Sequence, residues 1–533
     1  MTWRSFSERL PAGNLVAPTE GPNETKREGV TVILSGPTGA PSQSAAAQPS
    51  GGPTLDDLFR RAVAARPDAP ALLDPPDREG FTDGAPRRLT WAEADRVVSA
   101  IANLLKSLGL PSGAVVALQL PNVVEAVLTL LGVLRAGLVA APVPLLWRQA
   151  EMCPALGRVG ARALVACRRV GAVAHGELAM HVAAETFAIR FVCAFGRAVP
   201  DGLIPLDEVF DSALPAPPPP LDRGGDAAGH TAVVTFDVTA DGLVPVARSH
   251  RELIAAGVAI AGEARIAADA TVLGALMTAS FAGIASTIVP WLLCGGILRL
   301  HQPFDPGAMA AQRCDVAVLP GPVLPGVADA VGSSAAKAIV AVWRAPERMA
   351  AGLTWRGRDT RVIDVPAFGE IGLVALARGD GAMPAGLPAE ASGIELVRTA
   401  SGTLAMRGAM LPAHPLPPGV ARGDPRLKIG DDGFVDTLYP CHVDRATQRL
   451  VIDGPPAGIV SVGGYRFALR DLQDLVAPID ADGSVAALPD MLAGHRLAGV
   501  GSDRALIRDK LADQGTNPLV VGAFRDKRRV TAA

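Results

Sequence analysis

LTWAEADRVVSAIANLLKSLGLPSGAVVALQLPNVVEAVLTLLGVLRAGLVAAPV, residues 89–143, sets the architecture. It opens as a short strand running into an amphipathic helix, with Thr90 at the cap and Glu93 three residues on. That spacing lets the two side chains satisfy otherwise orphaned backbone N–H groups reciprocally. AVVALQL and GLVAAPV read as short apolar strands on either side of the helical stretch VVEAVLTLLGVLRAG, and ARALVA follows as another strand. Strand, helix and strand in alternation predict a wound α/β sheet.

The pattern extends in both directions. Upstream, LDDLFRRAVAARP places apolar residues at helical spacing and stops at Pro67. Downstream, TAVVTF, TVLGALM, GILRL and VAVLP repeat the strand rhythm, and the run Pro217 to Pro220 marks a stiff connection between the two sets. Residues 1–52 are rich in Ser, Pro, Gly, Ala and Thr, so they are expected to form a flexible or loosely docked arm without a core of its own.

A chain of 533 residues exceeds what one hydrophobic core organises, so more than one domain is expected. Lys and Arg number 50 against 53 Asp and Glu, a balance that favours neither nucleic acid nor an anionic membrane and leaves a small-molecule partner as the expectation. The six cysteines form no CxxC or Cys/His pattern, which argues against a disulfide framework or a zinc site. Arg4, Glu8, Arg9 and Pro11 interrupt any apolar leader, so a cytoplasmic location is expected. The uncharged run Thr271 to Leu298 contains three glycine positions and Pro290 before Gly296, and reads as strand, loop and buried helix rather than a membrane span.

From about residue 54 to about residue 500 the chain resembles the adenylate-forming superfamily of acyl-CoA and aryl-CoA synthetases, peptide-synthetase adenylation domains and luciferases. The resemblance rests on TLDDLFRRAVAARPDAPAL, the segment quoted above, FDPGAMAAQRCDVAVLPGP, SGTLAMRGAML and GGYRFALRDLQDLV, all in the family's order. It implies an α/β fold with a large N-terminal domain of two αβ subdomains plus a small β-barrel, residues 53–453. A small, shortened α+β C-terminal domain follows at residues 454–533. ATP with Mg²⁺, CoA and a small carboxylic acid or acyl ligand are implied with it, though a fold does not settle an activity.

The family's signature positions are heavily altered. Its phosphate loop, YTSGTTGxPKGVxxSH, corresponds to TFDVTADGLVPVARSH at residues 235–250. Thr239, Val246, Ser249 and His250 are kept, but Asp237 replaces a serine, Val238 and Asp241 replace glycines, Val244 the lysine and Pro245 a further glycine. A carboxylate about 4 Å from a phosphate charge costs on the order of 4 kcal/mol at an effective dielectric near 20. The alternative is a plain solvent-exposed βα loop.

The YGxTE motif becomes AFGEIGLVA, residues 367–375. Phe368 and Gly369 match its adenine-stacking start, and a two-residue deletion makes Glu370 either the magnesium ligand or an ordinary loop acid. The ribose-binding aspartate of RTGD becomes Tyr439, with Asp436 and Asp444 as displaced substitutes; a phenol cannot chelate a diol. The hinge motif GRxKD becomes GPPAG, residues 454–458, in which Pro455 and Pro456 oppose rotation.

Gly463, Gly464, Tyr465 and Arg466 keep the GGYR segment, with Arg466 either the surviving anion contact or a surface helix-start residue. The C-terminal catalytic lysine has only Lys527 near its place, and Ser280 stands where many ligases put a histidine at the mouth of the acyl tunnel. These changes lead to the expectation of a pseudoenzyme that binds a ligand or protein partner. The rivals are an active AMP-dependent carboxylate–CoA ligase with atypical phosphate contacts, and a scaffold that docks through the N-terminal arm.

Overall fold

The computed structural model describes residues 51–210, 225–302, 313–331, 336–351, 355, 359–379, 386–416 and 425–525. The arm up to residue 50, the proline run, residues 304–312 of the central segment and Lys527 lie outside the described residues.

Helix starts follow the sequence closely. Thr54, Thr90 and Ser249 each cap a helix through a reciprocal box with Asp57, Glu93 and Glu252, beginning Leu55–Ala65, Trp91–Ser107 and His250–Ala264. Helix Val124–Arg135 is buried on every face, as an all-round apolar sequence requires. Its charged residues are paired: Arg135 reaches Asp56 at 2.8 Å and Asp95 at 2.7 Å, and Glu125 reaches Arg78 at 2.5 Å. Trp91 and Trp291 stack with centroids 4.8 Å apart, and Phe59 tilts against both, joining three helices.

Two large sheets result. The first runs Ile204–Pro205, Phe191–Phe195, Ala163–Cys167, Val115–Gln119, Val139–Pro142 and Thr231–Thr239, parallel throughout, and ends on the antiparallel strand Gly242–Ser249. The second has a parallel core of Arg361–Phe368, Ala338–Trp343, Val316–Pro320, Thr271–Gly274, Ile297–Leu300 and Pro70–Leu73. One feature was hidden in the sequence: Pro70–Leu73 and Arg88–Thr90 lie in the second sheet, where Leu72 pairs with Leu298. Proximity in sequence to the first set gave no sign of this long-range pairing.

The run from Thr271 is strand, buried helical turns and strand, and no helix among the described residues is long and apolar enough to cross a membrane. All six cysteines are free thiols. A five-stranded antiparallel sheet spans Glu390–Ala391 to Leu450–Ile452, and a four-stranded sheet with three helices occupies the chain from Ile459 onward.

This last unit is fastened to the rest at separated points. Arg466 pairs with Asp237, Asn517 donates its N–H to Glu151 at 3.0 Å, and Ala150 donates to the Gly515 carbonyl at 3.1 Å. Arg348 grips the carbonyls of Met491 and Leu492 at 2.5 and 3.0 Å. Pro456 opens a turn closed by the Ile459 N–H on its carbonyl, 3.0 Å, and Pro455 lies in the bend just before it. These restraints predict one orientation of the last unit: small-angle scattering profiles with and without Mg-ATP should superimpose, and a ligand-dependent second form would contradict this. Arg466→Met should cost about 3–5 kcal/mol because it strands a buried carboxylate, and adding Asp237→Asn should recover much of the loss. Calorimetric unfolding of the two single variants and the double variant measures that coupling, and simple additivity would count against it.

Candidate functional site

Residues 235–249 form a tight antiparallel hairpin rather than an open loop, which corrects the solvent-exposed-loop alternative. Asp237 pairs with Val244 and Thr239 with Gly242, leaving only Ala240 and Asp241 at the turn, where Gly242 takes φ +113°. Strand formation follows from the sequence: with the glycines replaced by Val238, Asp241 and Pro245, the alternation Val-Thr-Phe-Asp-Val suits a pleated, half-buried surface. Thr239 is used at the turn, donating its hydroxyl to the Gly242 carbonyl at 2.9 Å, and Ser249 is used as the helix cap.

Asp237 is buried, and its carboxylate is fully engaged. It pairs with Arg466 and accepts N–H groups from Val238 at 2.8 Å and Glu370 at 3.2 Å. Burial works against the Arg466 charge, but the adjacent Asp237 more than offsets it and raises the guanidinium pKa. Arg466 is held there by a hairpin whose two-residue turn, Gly463 and Gly464, has φ of +57° and +85°, the conformation such a turn requires. Gly369, at φ +58°, lies so close to Asp237 and Arg466 that a β-carbon would collide with both.

Glu370 is also buried. It accepts the Phe281 N–H at 2.7 Å and faces Arg344 at 3.2 Å; desolvation raises its pKa, and Arg344 and the Phe281 amide only partly oppose this. No group of three His, Cys, Asp or Glu side chains is placed to hold a metal ion among the described residues. Phe368 and Tyr439, expected at the adenine and ribose positions, are 0% and 2% exposed and meet edge to face at 5.3 Å. Leu438, at φ +64°, forms an irregularity in its strand that turns Tyr439 inward. Asp436 accepts from Thr403 at 2.9 Å and Asp444 caps a turn through Thr447, so both act as local structural acids.

Two cavities meet at this cluster. A cleft of about 680 Å³ is lined by Trp147, Phe236 and Leu243, by residues between Tyr465 and Leu475, and by Asp237, Glu370 and Arg466. A chamber of about 380 Å³ opens beyond the C-terminal ends of the second sheet's strands, where α/β folds place their ligands. Its walls include Leu276, Met277, Ser280, Pro322 and Val342, and its charged lining residues are Arg344 and Arg348. Pro144, Arg344 and Tyr465 border both cavities, while Phe368 and Tyr439 border neither. Ser280 lines the chamber as the resemblance implies, and its hydroxyl caps the following turn at Gly283, 3.1 Å away.

Sequence reading missed two residues of this site. Arg344 follows the apolar strand AIVAVW directly, and a charge at the C-terminal end of a buried parallel strand was the available signal. Arg248 is 1% exposed and donates to the carbonyls of Glu370, Ile371 and Met410 at 2.5–2.6 Å, with its guanidinium 3.6 Å over the Phe281 ring. Burial lowers its pKa to about 10. Nothing in its sequence neighbourhood marks it out.

Residues 59–232 match the family model described as AMP-binding enzyme. Human long-chain fatty acid transport protein 1 is 33% identical over 164 residues, a match covering 31% of this chain and 23% of that protein's length. The chain therefore spans under a quarter of this relative. Among solved structures, the amide bond synthetase McbA of Marinactinospora thermotolerans superimposes with a TM-score of 0.68 at 19% identity, covering 87% of this chain and 94% of the other. MbtA of Mycobacterium smegmatis gives 0.59 at 20% identity, covering 88% and 90%. Over residues 59–232 the chain is thus similar to AMP-binding enzymes, and along most of its length it shares the fold of McbA and MbtA.

Proposed function

We propose that this protein binds a small carboxylic or acyl ligand in the chamber beside Arg344 and does not adenylate it with ATP. The observation that carries the reading is the Asp237–Arg466 ion pair, which places an internal carboxylate on the surviving cation in the segment that corresponds to the phosphate loop. Enzymes of this family use ATP with Mg²⁺, and the residues here do not fit that group. A triphosphate would have to displace Asp237 from Arg466 and lie against an unpaired buried carboxylate, at a cost of several kcal/mol. Tyr439 offers no diol chelation, and Glu370 has its oxygens committed to Phe281 and Arg344. Thioester formation on CoA would require the adenylate first, so it falls with it.

The chamber supports the positive half of the reading. A cavity of about 380 Å³ with apolar walls and Arg344 in its lining suits an apolar acid whose carboxylate faces Arg344. The relative named for long-chain fatty acid transport is consistent with an acyl group in that place.

Exchange of labelled pyrophosphate into ATP, across short, long and aromatic acids, should stay at background. Exchange with any acid that Arg466→Ala or Glu370→Ala abolishes would establish the ligase alternative instead. Calorimetric titration should find an acid that binds without nucleotide, and Arg344→Gln should weaken it roughly ten- to a hundredfold, the worth of one charge-assisted contact. Unchanged affinity in that variant would remove Arg344 from the site.

A further inference from the structure

The four-stranded sheet carries a second feature at the chamber mouth. Strands Ser484–Asp490 and Gly494–Val500 pair through Asp490↔Gly494, and the turn between them presents Met491 and Leu492 at 97% and 60% exposure. Leu488, 37% exposed, stands on the same hairpin and pairs across strands with exposed Arg496. Single exposed apolar residues are ordinary, but neighbouring ones at a cavity entrance call for a partner.

The tip cannot fold its side chains away. The Asp490 carboxylate accepts the N–H groups of Leu492 and Ala493 at 3.0 and 2.8 Å, and Arg348 holds the carbonyls of Met491 and Leu492 from the other side. The backbone is thus fixed with its apolar side chains outward. Leu492 and Ala493 at the same time line the chamber, so the exposed apolar surface is continuous with the cavity wall.

We propose that this tip seats on a lipid surface carrying anionic headgroups, Met491 and Leu492 entering the acyl boundary and Arg496 facing the headgroups. Continuity with an apolar chamber favours a lipid surface over a protein: an apolar ligand leaving a bilayer there meets no water before the chamber wall. Apolar insertion and cation attraction are separable and additive in such contacts.

The full chain should co-sediment with phosphatidylcholine vesicles containing phosphatidylglycerol, and more weakly with phosphatidylcholine alone. Met491→Asp with Leu492→Asp should lower partitioning by about a hundredfold, since each buried apolar side chain contributes on the order of a factor of ten. Arg496→Gln should reduce binding to the anionic vesicles only. Because the mutated side chains are exposed, an unchanged melting temperature confirms that folding is intact. Failure of the unmodified chain to sediment with either vesicle, or equal sedimentation of the double variant, overturns the proposal and leaves the tip to a protein partner. The choice of a lipid surface rests on the acyl-ligand reading above, but sedimentation is measured without ATP or acid, so its failure and the failure of that reading are told apart.

Discussion

Asp237 and Arg466 are 229 residues apart and nearly sealed from water, with side chains 4% and 8% exposed. Each charge alone would cost several kcal/mol to bury, and only their contact offsets that cost. The hairpin Thr231–Ser249 and the sheet beginning at Ile459 are therefore bound to one another: separating them leaves two unsatisfied charges. Position 369 is confined to glycine by the same contact, because any side chain there would enter the pair, and its φ of +58° disfavours other residues as well.

Around this pair the charges alternate. Arg344 faces Glu370, the Glu370 N–H reaches Asp237, and Arg248 donates to the carbonyls of Glu370 and Ile371. Phe281 ties the chamber wall into the network through its N–H on Glu370 and its ring beneath Arg248. The phosphate-loop segment and the chamber thus share one buried polar system, in which each charged side chain has a protein partner. Such a system is rigid when complete and costly when any member is removed. A phosphate that needed Arg466 would compete with an internal partner already in place, whereas Arg344 meets Glu370 through one nitrogen and keeps about a third of its side chain exposed beside the chamber.

Much of the fold was legible because its signals are local. The Thr90–Glu93 cap, the apolar strands and the all-apolar helix Val124–Arg135 each report a requirement met within a few residues. The placement of Pro70–Leu73 in the second sheet was not legible, since strand partners hundreds of residues away leave no trace in a local pattern. At the site, sequence reading recognised that Asp237 breaks the phosphate cradle but took it for a repulsive charge in an exposed or formerly binding loop. Its role as a pairing partner required the position of Arg466. Likewise Tyr439 was legible as a lost chelator, whereas its inward turn depends on the backbone of Leu438. Arg248 was invisible because its partners are carbonyls, which carry no residue identity.

The central claim is that an internal carboxylate occupies the cation on which a nucleotide phosphate would depend. Titration calorimetry of Mg-ATP into the unmodified chain and into Asp237→Ser tests it most directly. The account predicts no saturable binding at millimolar nucleotide for the unmodified chain, and a measurable gain in affinity for phosphate groups once Arg466 is released in Asp237→Ser. Saturable Mg-ATP binding to the unmodified chain, weakened rather than improved by Asp237→Ser, would contradict it.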